Sequence, residues 1–333
     1  MGRVKYMIFG HQKKLKIFSR LINYDRFPHA VLFAGPSKIG KRTVAIEISK
    51  YLSQSPAPKE TFLDFSQKEC SSQICDLIDQ GKFPGILKVG KEEDFSIKKI
   101  REIREKLSLS SPYPFKIVII DNAENLLWEA TGALLKVLEE PRGKTIFFLV
   151  ARFPYVLPKT ILSRCEIFKF YPLSREEIKI FIKKEIEKKG IKLTEEKINI
   201  ILDFSAGRIG VAKDILLDKN RLFYYNLNLG NLKKIKNISI FERMLMAEKL
   251  EKEEKIDDFL FIAEYWFRDL LLIKNKSKQI FFKSKEEEIK KESNFFSEEE
   301  LKDILKKVQK TKKSLLFSNV SRLLAVENFI LGI

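Results

Sequence analysis

Three short apolar runs stand out along the chain: HAVLFAG at 29–35, KIVIID at 116–121 and TIFFLVA at 145–151. A strand wetted on one face alternates apolar with polar residues. These runs do not alternate, which predicts strands buried on both faces, as in a parallel sheet. Between them RTVAIEISKYL (42–52) and NLLWEATGALLKVLEE (125–140) place apolar residues at helical spacing, and Pro141 closes the second helix. SQSPAPKE (53–60) reads as a loop from its Ser and Pro content. Strand and helix thus alternate from Met1 to Pro172, the pattern of an α/β core with a mostly parallel sheet.

The pattern changes after Tyr171 and Pro172. From there LSREEIKIFIKKEIEKKGIKLTEEKINIILDFSAGRIGVAKDILL shows helical spacing and no convincing strand. Ser174 with Glu177 forms one capping box, and Thr194 with Lys197 a second helix start that lacks the reciprocal Glu. A small helical domain is expected at 173–218 and a further helical domain at 219–333. The best amphipathic pieces of the latter are KLEKEEKIDDFLFIAEYWFRDLLLIK and the closing SNVSRLLAVENFILGI. KSKEEEIKKESNFFSEEELKD (283–303) reads as a connecting loop with an exposed helix, and there is no internal repeat.

Composition narrows the class. The 333 residues are ample for more than one core. The cysteines are Cys70, Cys75 and Cys165, an odd and sparse set that points to reduced thiols. The N-terminal stretch has no uninterrupted apolar segment, and nowhere do about 18 apolar residues run together, so a cytoplasmic protein is expected. The formal charge of +18 favours a polyanionic partner, since neutralising phosphates releases counterions. Solvated helix faces rich in lysine account for the same charge equally well.

Candidate chemistry lies in GPSKIGKRTVA (35–45). Gly35, Gly40 and Lys41 fit a phosphate-binding loop between a strand and a helix, where backbone N–H groups, the helix dipole and the lysine face a phosphate. The hydroxyl that would hold Mg²⁺ is missing, because Arg42 follows Lys41. Thr43 comes one residue late, turned by roughly 100° around the helix. KIVIID ends in Asp121, the position of a metal-holding acid, but Asn122 follows it and cannot act as a base. Glu124, three residues on, suits a helix N-terminus.

The ordered set HAVLFAG, KIVIIDNAENL, ATGALLKVLEEP and LPKTILSRCEIF resembles the AAA+ ATPases of clamp loaders. The likeness is greatest to the delta-prime subunits of bacterial DNA polymerase III clamp loaders. IFGHQKKLKIFSRLI, SIKKIREIREKLSLSSPY, EYWFRDLLL and NVSRLLAVENFIL extend it over nearly the whole chain. The resemblance implies an α/β AAA+ P-loop core at 1–172, a helical lid at 173–218 and an all-helical collar at 219–333. It also implies that Arg164, in Ser163-Arg164-Cys165, is an arginine finger presented to ATP on a neighbouring subunit, with Cys165 a small apolar residue.

Further family positions are altered. Ala151, Arg152 and Phe153 stand where active relatives end a strand in polar sensor residues, and Gly210 stands at the second sensor, with Arg208 out of register. Relatives carry four zinc-binding cysteines after the P-loop helix. Here only Cys70 and Cys75 remain, Ser72 lies where C-x-x-C needs a member, and neither His11 nor His29 is near in sequence, so zinc is not expected.

The favoured reading is a non-motor subunit. It would assemble with ATPase subunits, the neighbouring one of which holds ATP and Mg²⁺, and with a delta-type subunit, act on a sliding clamp indirectly, meet primer-template DNA through the complex, and touch no membrane. Binding of ATP at its own Gly35, Gly40, Lys41 and Thr43 is left open by these residues. A self-sufficient motor ATPase and a basic DNA-binding protein outside any ring are the alternatives.

Overall fold

A computed structural model of the protein describes residues 8–53, 73–90, 95–277, 279–316 and 320–333, without the side chain of Lys219. The chain forms two compact units, Met1–Glu177 and Ile178–Ile333. In the first, the elements run α1 (Gln12–Asn23), β1 (Ala30–Ala34), α2 (Lys41–Leu52), α3 (Gln73–Asp79), β2 (Ile86–Val89), α4 (Ile97–Ser108), β3 (Lys116–Asp121), α5 (Trp128–Glu139), β4 (Thr145–Ala151), α6 (Lys159–Leu162) and β5 (Glu166–Lys169). The five strands are all parallel, in the order β2-β3-β4-β1-β5.

Successive residues of each central strand face opposite layers, which is why the runs are apolar throughout. Val31 and Phe33 of β1, Ile117 and Ile119 of β3 and Ile146 and Phe148 of β4 share one core with Leu15, Phe18, Val44 and Ile48 of α1 and α2. Leu32, Val118, Ile120, Phe147 and Leu149 face the other, lined by Ile100, Ile103, Leu134 and Leu138 of α4 and α5. The sheet is therefore a middle layer between helices, as an α/β core requires.

The predicted strands at 29–35, 116–121 and 145–151 form β1, β3 and β4. The short strands β2 (ILKV) and β5 (EIFK) have no counterpart among them. Both are edges of the sheet, and β5 carries Glu166 and Lys169 on a mostly exposed run, so the unbroken apolar signal is absent. The predicted loop at 53–60 lies, beyond Ser53, outside the described residues, as do Cys70 and Ser72. Cys75 is disulfide-bonded, against the expectation of reduced thiols, whereas Cys165 is free and buried.

Helix α7 (Arg175–Lys189) contains the boundary between the units, and its Ser174–Glu177 capping box forms in both directions, at 2.8 and 3.2 Å. The second unit contains α8 (Glu195–Ser205), α9 (Ile209–Leu217), α10 (Lys219–Lys234), α11 (Ile240–Lys252), α12 (Ile256–Lys274), α13 (Glu286–Ser293), α14 (Glu298–Ser314) and α15 (Arg322–Leu331). Thr194 caps α8 by accepting the Lys197 N–H. Phe259, Ile262, Trp266, Phe267 and Leu270 of α12 are buried, and α10, α11, α13 and α14 pack around that helix. Phe204 of α8 stacks on Tyr225 of α10 with ring centres 5.1 Å apart.

The segment 283–303 departs from its expected character. It is helical at both ends, with a complete Ser297–Glu300 capping box, and Ile289 and Leu301 are buried. Its many Lys and Glu residues hide a sparse apolar stripe made by Ile289, Phe296 and Leu301.

Asp269 is the polar anchor of this unit. Its buried carboxylate accepts the N–H groups of Phe281 and Phe282, each at 2.8 Å, beside Arg268 at 3.3 Å. Burial raises its pKa to about 6, against the hydrogen bonds from Phe282 and Phe281, which lower it. The folded state therefore holds a proton that the unfolded chain has lost, and this group's contribution to stability falls as pH rises from its unfolded pKa through about 6. Asp269→Asn, which keeps an acceptor but no charge, is expected to flatten that slope in urea unfolding followed through Trp266.

Candidate phosphate-binding site and exposed arginine

The site grows from the C-terminal edge of the sheet, where α/β sheets bind ligands near a change in strand order. Strand β1 lies between β4 and β5, and its end is fastened to both. The Gly35 N–H donates to the Ala151 carbonyl at 3.2 Å, and the Phe170 N–H donates to the Ala34 carbonyl at 2.7 Å. The chain then turns through Gly35 (φ 146°), Lys38 (φ 63°) and Gly40 (φ 98°) into α2. A Cβ at Gly35 would meet the Phe170 carbonyl oxygen at 2.3 Å, so only glycine fits there. His11 braces the loop from behind: its Nε2 lies 2.9 Å from the Ile39 carbonyl, and its ring meets Phe170 edge-on at 4.8 Å.

Lys41 is buried, and its Nζ donates to the Gly35 and Pro36 carbonyls, both at 2.6 Å. The ammonium is thus aimed into the loop it belongs to. Burial lowers its pKa to about 8, opposed by the negative charges of Glu124 and Asp121 and reinforced by Arg152. At neutral pH it is a poorly solvated cation, which an anion in the loop would stabilise.

The positions that should hold a metal are differently occupied. Arg42 reaches across to Asp121, Nη1 to Oδ2 at 3.3 Å, with the carboxylate largely covered and the guanidinium half-exposed. Thr43 follows on the same first turn of α2, one step round the helix. Asn122 takes a left-handed backbone conformation (φ 52°) and donates its N–H to Asp121 Oδ1 at 3.1 Å. The residues therefore do not fit Mg²⁺ in the usual way: the acid that would hold it is paired with arginine, and no hydroxyl follows Lys41. Among the described residues there is also no His, Cys, Asp and Glu group suited to a metal.

Glu124 lies in the first turn of a short 3-10 helix, Ala123–Asn125, as its suitability for a helix N-terminus predicted, but its carboxylate is turned elsewhere. It accepts the Arg152 N–H at 3.0 Å, tying the turn after β3 to the end of β4. The guanidinium of Arg152 lies 4.7 Å from the Phe153 ring centre. In the second unit, Gly210 lies in the first turn of α9, and the buried Arg208 packs its guanidinium 3.3 Å from the Phe261 ring centre.

Arg164 lies just past α6 in the first unit and is separate from this loop cluster in its contacts. Its guanidinium donates to the Thr160 carbonyl at 2.9 Å and to Glu139, and its side chain is 34% exposed. Glu139 was not legible as its partner, because 25 residues and a strand separate them. Burial raises the pKa of Cys165 to about 11, so the thiol is inert and serves as core.

Residues 10–174 match the family described as DNA polymerase III, delta subunit. The chain is 29% identical to DNA polymerase III subunit gamma of Buchnera aphidicola (subsp. Schizaphis graminum), with 93% of this chain and 90% of that protein aligned. It is 28% identical to DNA polymerase III subunit tau of Bacillus subtilis over 80% of this chain and 50% of that protein. The replication factor C small subunit of Staphylothermus marinus is 29% identical over 60% of this chain and 55% of its own length. The chain thus spans nearly all of the first relative and about half of the other two. Among solved structures, a DNA polymerase III gamma subunit-related protein of Thermotoga maritima aligns with 95% of this chain and 97% of its own, at 17% identity and a TM-score of 0.41. A RuvB variant of the same organism aligns with 98% and 83%, at 16% identity and a TM-score of 0.46.

Proposed function

From the match of residues 10–174 to the family described as DNA polymerase III, delta subunit, we propose that this chain is a non-motor, delta-prime-type subunit of a clamp loader. It assembles with ATPase subunits and a delta-type subunit, offers Arg164 to ATP held by a neighbour, and helps the ring place a sliding clamp on primed DNA. The observation that carries the reading is the Arg42–Asp121 pair, which puts a side-chain cation on the acid that a hydrolysing site gives to Mg²⁺. Asn122 in place of a catalytic base supports the same conclusion.

Arg164 suits a role in trans. Its charge is permanent and its donors are held in a fork. Its partner Glu139 is itself half-exposed, and a pair of this kind is worth only about 0–1 kcal/mol, so a triphosphate can displace it. In this reading 1–172 is the AAA+ core, 173–218 the lid and 219–333 the collar through which the ring is held together.

A second reading, an active motor subunit, is favoured by the gamma and tau relatives. The two differ in what Lys41→Ala does inside the assembled loader. A non-motor chain leaves DNA-stimulated ATP hydrolysis within about twofold of the unmodified assembly, whereas a motor chain loses its own share and disables the cycle.

A further inference from the structure

A site built for Mg²⁺–ATP needs a hydroxyl after the lysine, a free acid opposite it and a base beside that acid. This chain has Arg42, a paired Asp121 and Asn122 in those places, yet it keeps the parts that hold phosphate. Lys41 is buried and aimed at the loop, and Gly35 is kept where no other residue fits. The machinery for the metal is altered and the machinery for the anion is not.

We propose that Arg42 takes the place of the divalent cation, so that this loop binds a nucleoside polyphosphate in its metal-free form and holds it without hydrolysis. The inference rests on reading the loop as a non-hydrolysing site. Arg42 sits on the first turn of α2 with its guanidinium half-exposed, so side-chain rotation alone can turn it from Asp121 to a phosphate oxygen. Its pair with Asp121 joins a half-exposed guanidinium to a largely covered carboxylate at 3.3 Å, whereas guanidinium on phosphate forms parallel charge-assisted bonds. A divalent ion entering beside Lys41, Arg42 and Arg152 would be repelled by three cations and would face two carboxylates, Asp121 and Glu124, of which Glu124 is already engaged by the Arg152 N–H. The ligand's negative charge is then balanced by the protein itself.

The test is isothermal titration of the full chain with ATPγS, in excess MgCl₂ and in excess EDTA. The unmodified chain is expected to bind in EDTA and to bind at least about tenfold more weakly in excess MgCl₂, where the ion competes for the phosphates. Equal affinities would mean that the Mg²⁺ complex binds as well and would count against the inference. Arg42→Ala should weaken binding in EDTA by roughly tenfold or more, the loss of a hydrogen bond to a charged group. Arg42→Ser, which supplies the missing hydroxyl, should make binding at least about tenfold tighter with Mg²⁺ than without. Thermal unfolding of both variants should match the unmodified chain, since the replaced side chain is half-exposed. Binding that collapses in EDTA, or no binding in either buffer, overturns the inference. Neither result touches the non-motor reading, which fails instead if the chain turns ATP over.

Discussion

Arg164→Ala is expected to lower ATP hydrolysis at the adjoining subunit's site by about 10³-fold or more, the scale of an arginine finger in nucleotide hydrolysis. The measurement uses assembled loaders in which the other sites carry substitutions of their own P-loop lysines, so that only the site facing Arg164 turns over. Arg164→Lys should rescue little, because a lysine ammonium is a point charge without the guanidinium fork. Stability should barely change, since the contacts to Glu139 and the Thr160 carbonyl are exposed and cost about 0–1 kcal/mol to lose. Glu139→Ala separates holding the arginine from using it: turnover should change far less than with Arg164→Ala. Unchanged hydrolysis in the Arg164→Ala assembly would remove the trans role.

Gly35→Ala is expected to destabilise the first unit by about 3 kcal/mol or more, combining a backbone conformation that side chains rarely adopt with a collision against fixed backbone. The obstacle is the Phe170 carbonyl oxygen, 2.3 Å from the added Cβ, in a residue that is buried and pinned to Ala34 by its own N–H. Gly40→Ala is the internal comparison. Its φ of 98° is also unfavourable, but a Cβ there meets nothing within 4 Å, so the cost should be about 1 kcal/mol from backbone strain alone. Urea unfolding of the two variants checks the difference. Equal costs would mean that the loop moves away from Phe170 freely, and would undo its description as a fixed cradle.

The central strands could be read from the sequence because burial on both faces leaves an unbroken apolar run, as in KIVIID and TIFFLVA. The edge strands could not, since a mostly exposed strand such as EIFK carries no such run. The helical segment around Ile289 and Leu301 was obscured for a related reason: a few buried positions suffice to seat a helix whose other faces are charged. For the site, spacing and residue type placed Gly35, Gly40 and Lys41 between a strand and a helix and Asp121 at the end of a strand, where they lie. What spacing does not give is pairing across the fold. The bonds from Arg42 to Asp121, from the Arg152 N–H to Glu124 and from Arg164 to Glu139 join residues 79, 28 and 25 positions apart; the first two exist because the sheet order brings strand ends and the start of α2 together, the third because α5 packs against α6.

The most direct test of the non-motor reading is the steady-state rate of ATP hydrolysis by the purified chain alone, with Mg²⁺ and primed DNA present and with Lys41→Ala as the reference. The Arg42–Asp121 pair and Asn122 lead us to expect the same background rate from both proteins. Turnover by the unmodified chain that disappears with Lys41→Ala would show a working ATPase site and contradict that reading.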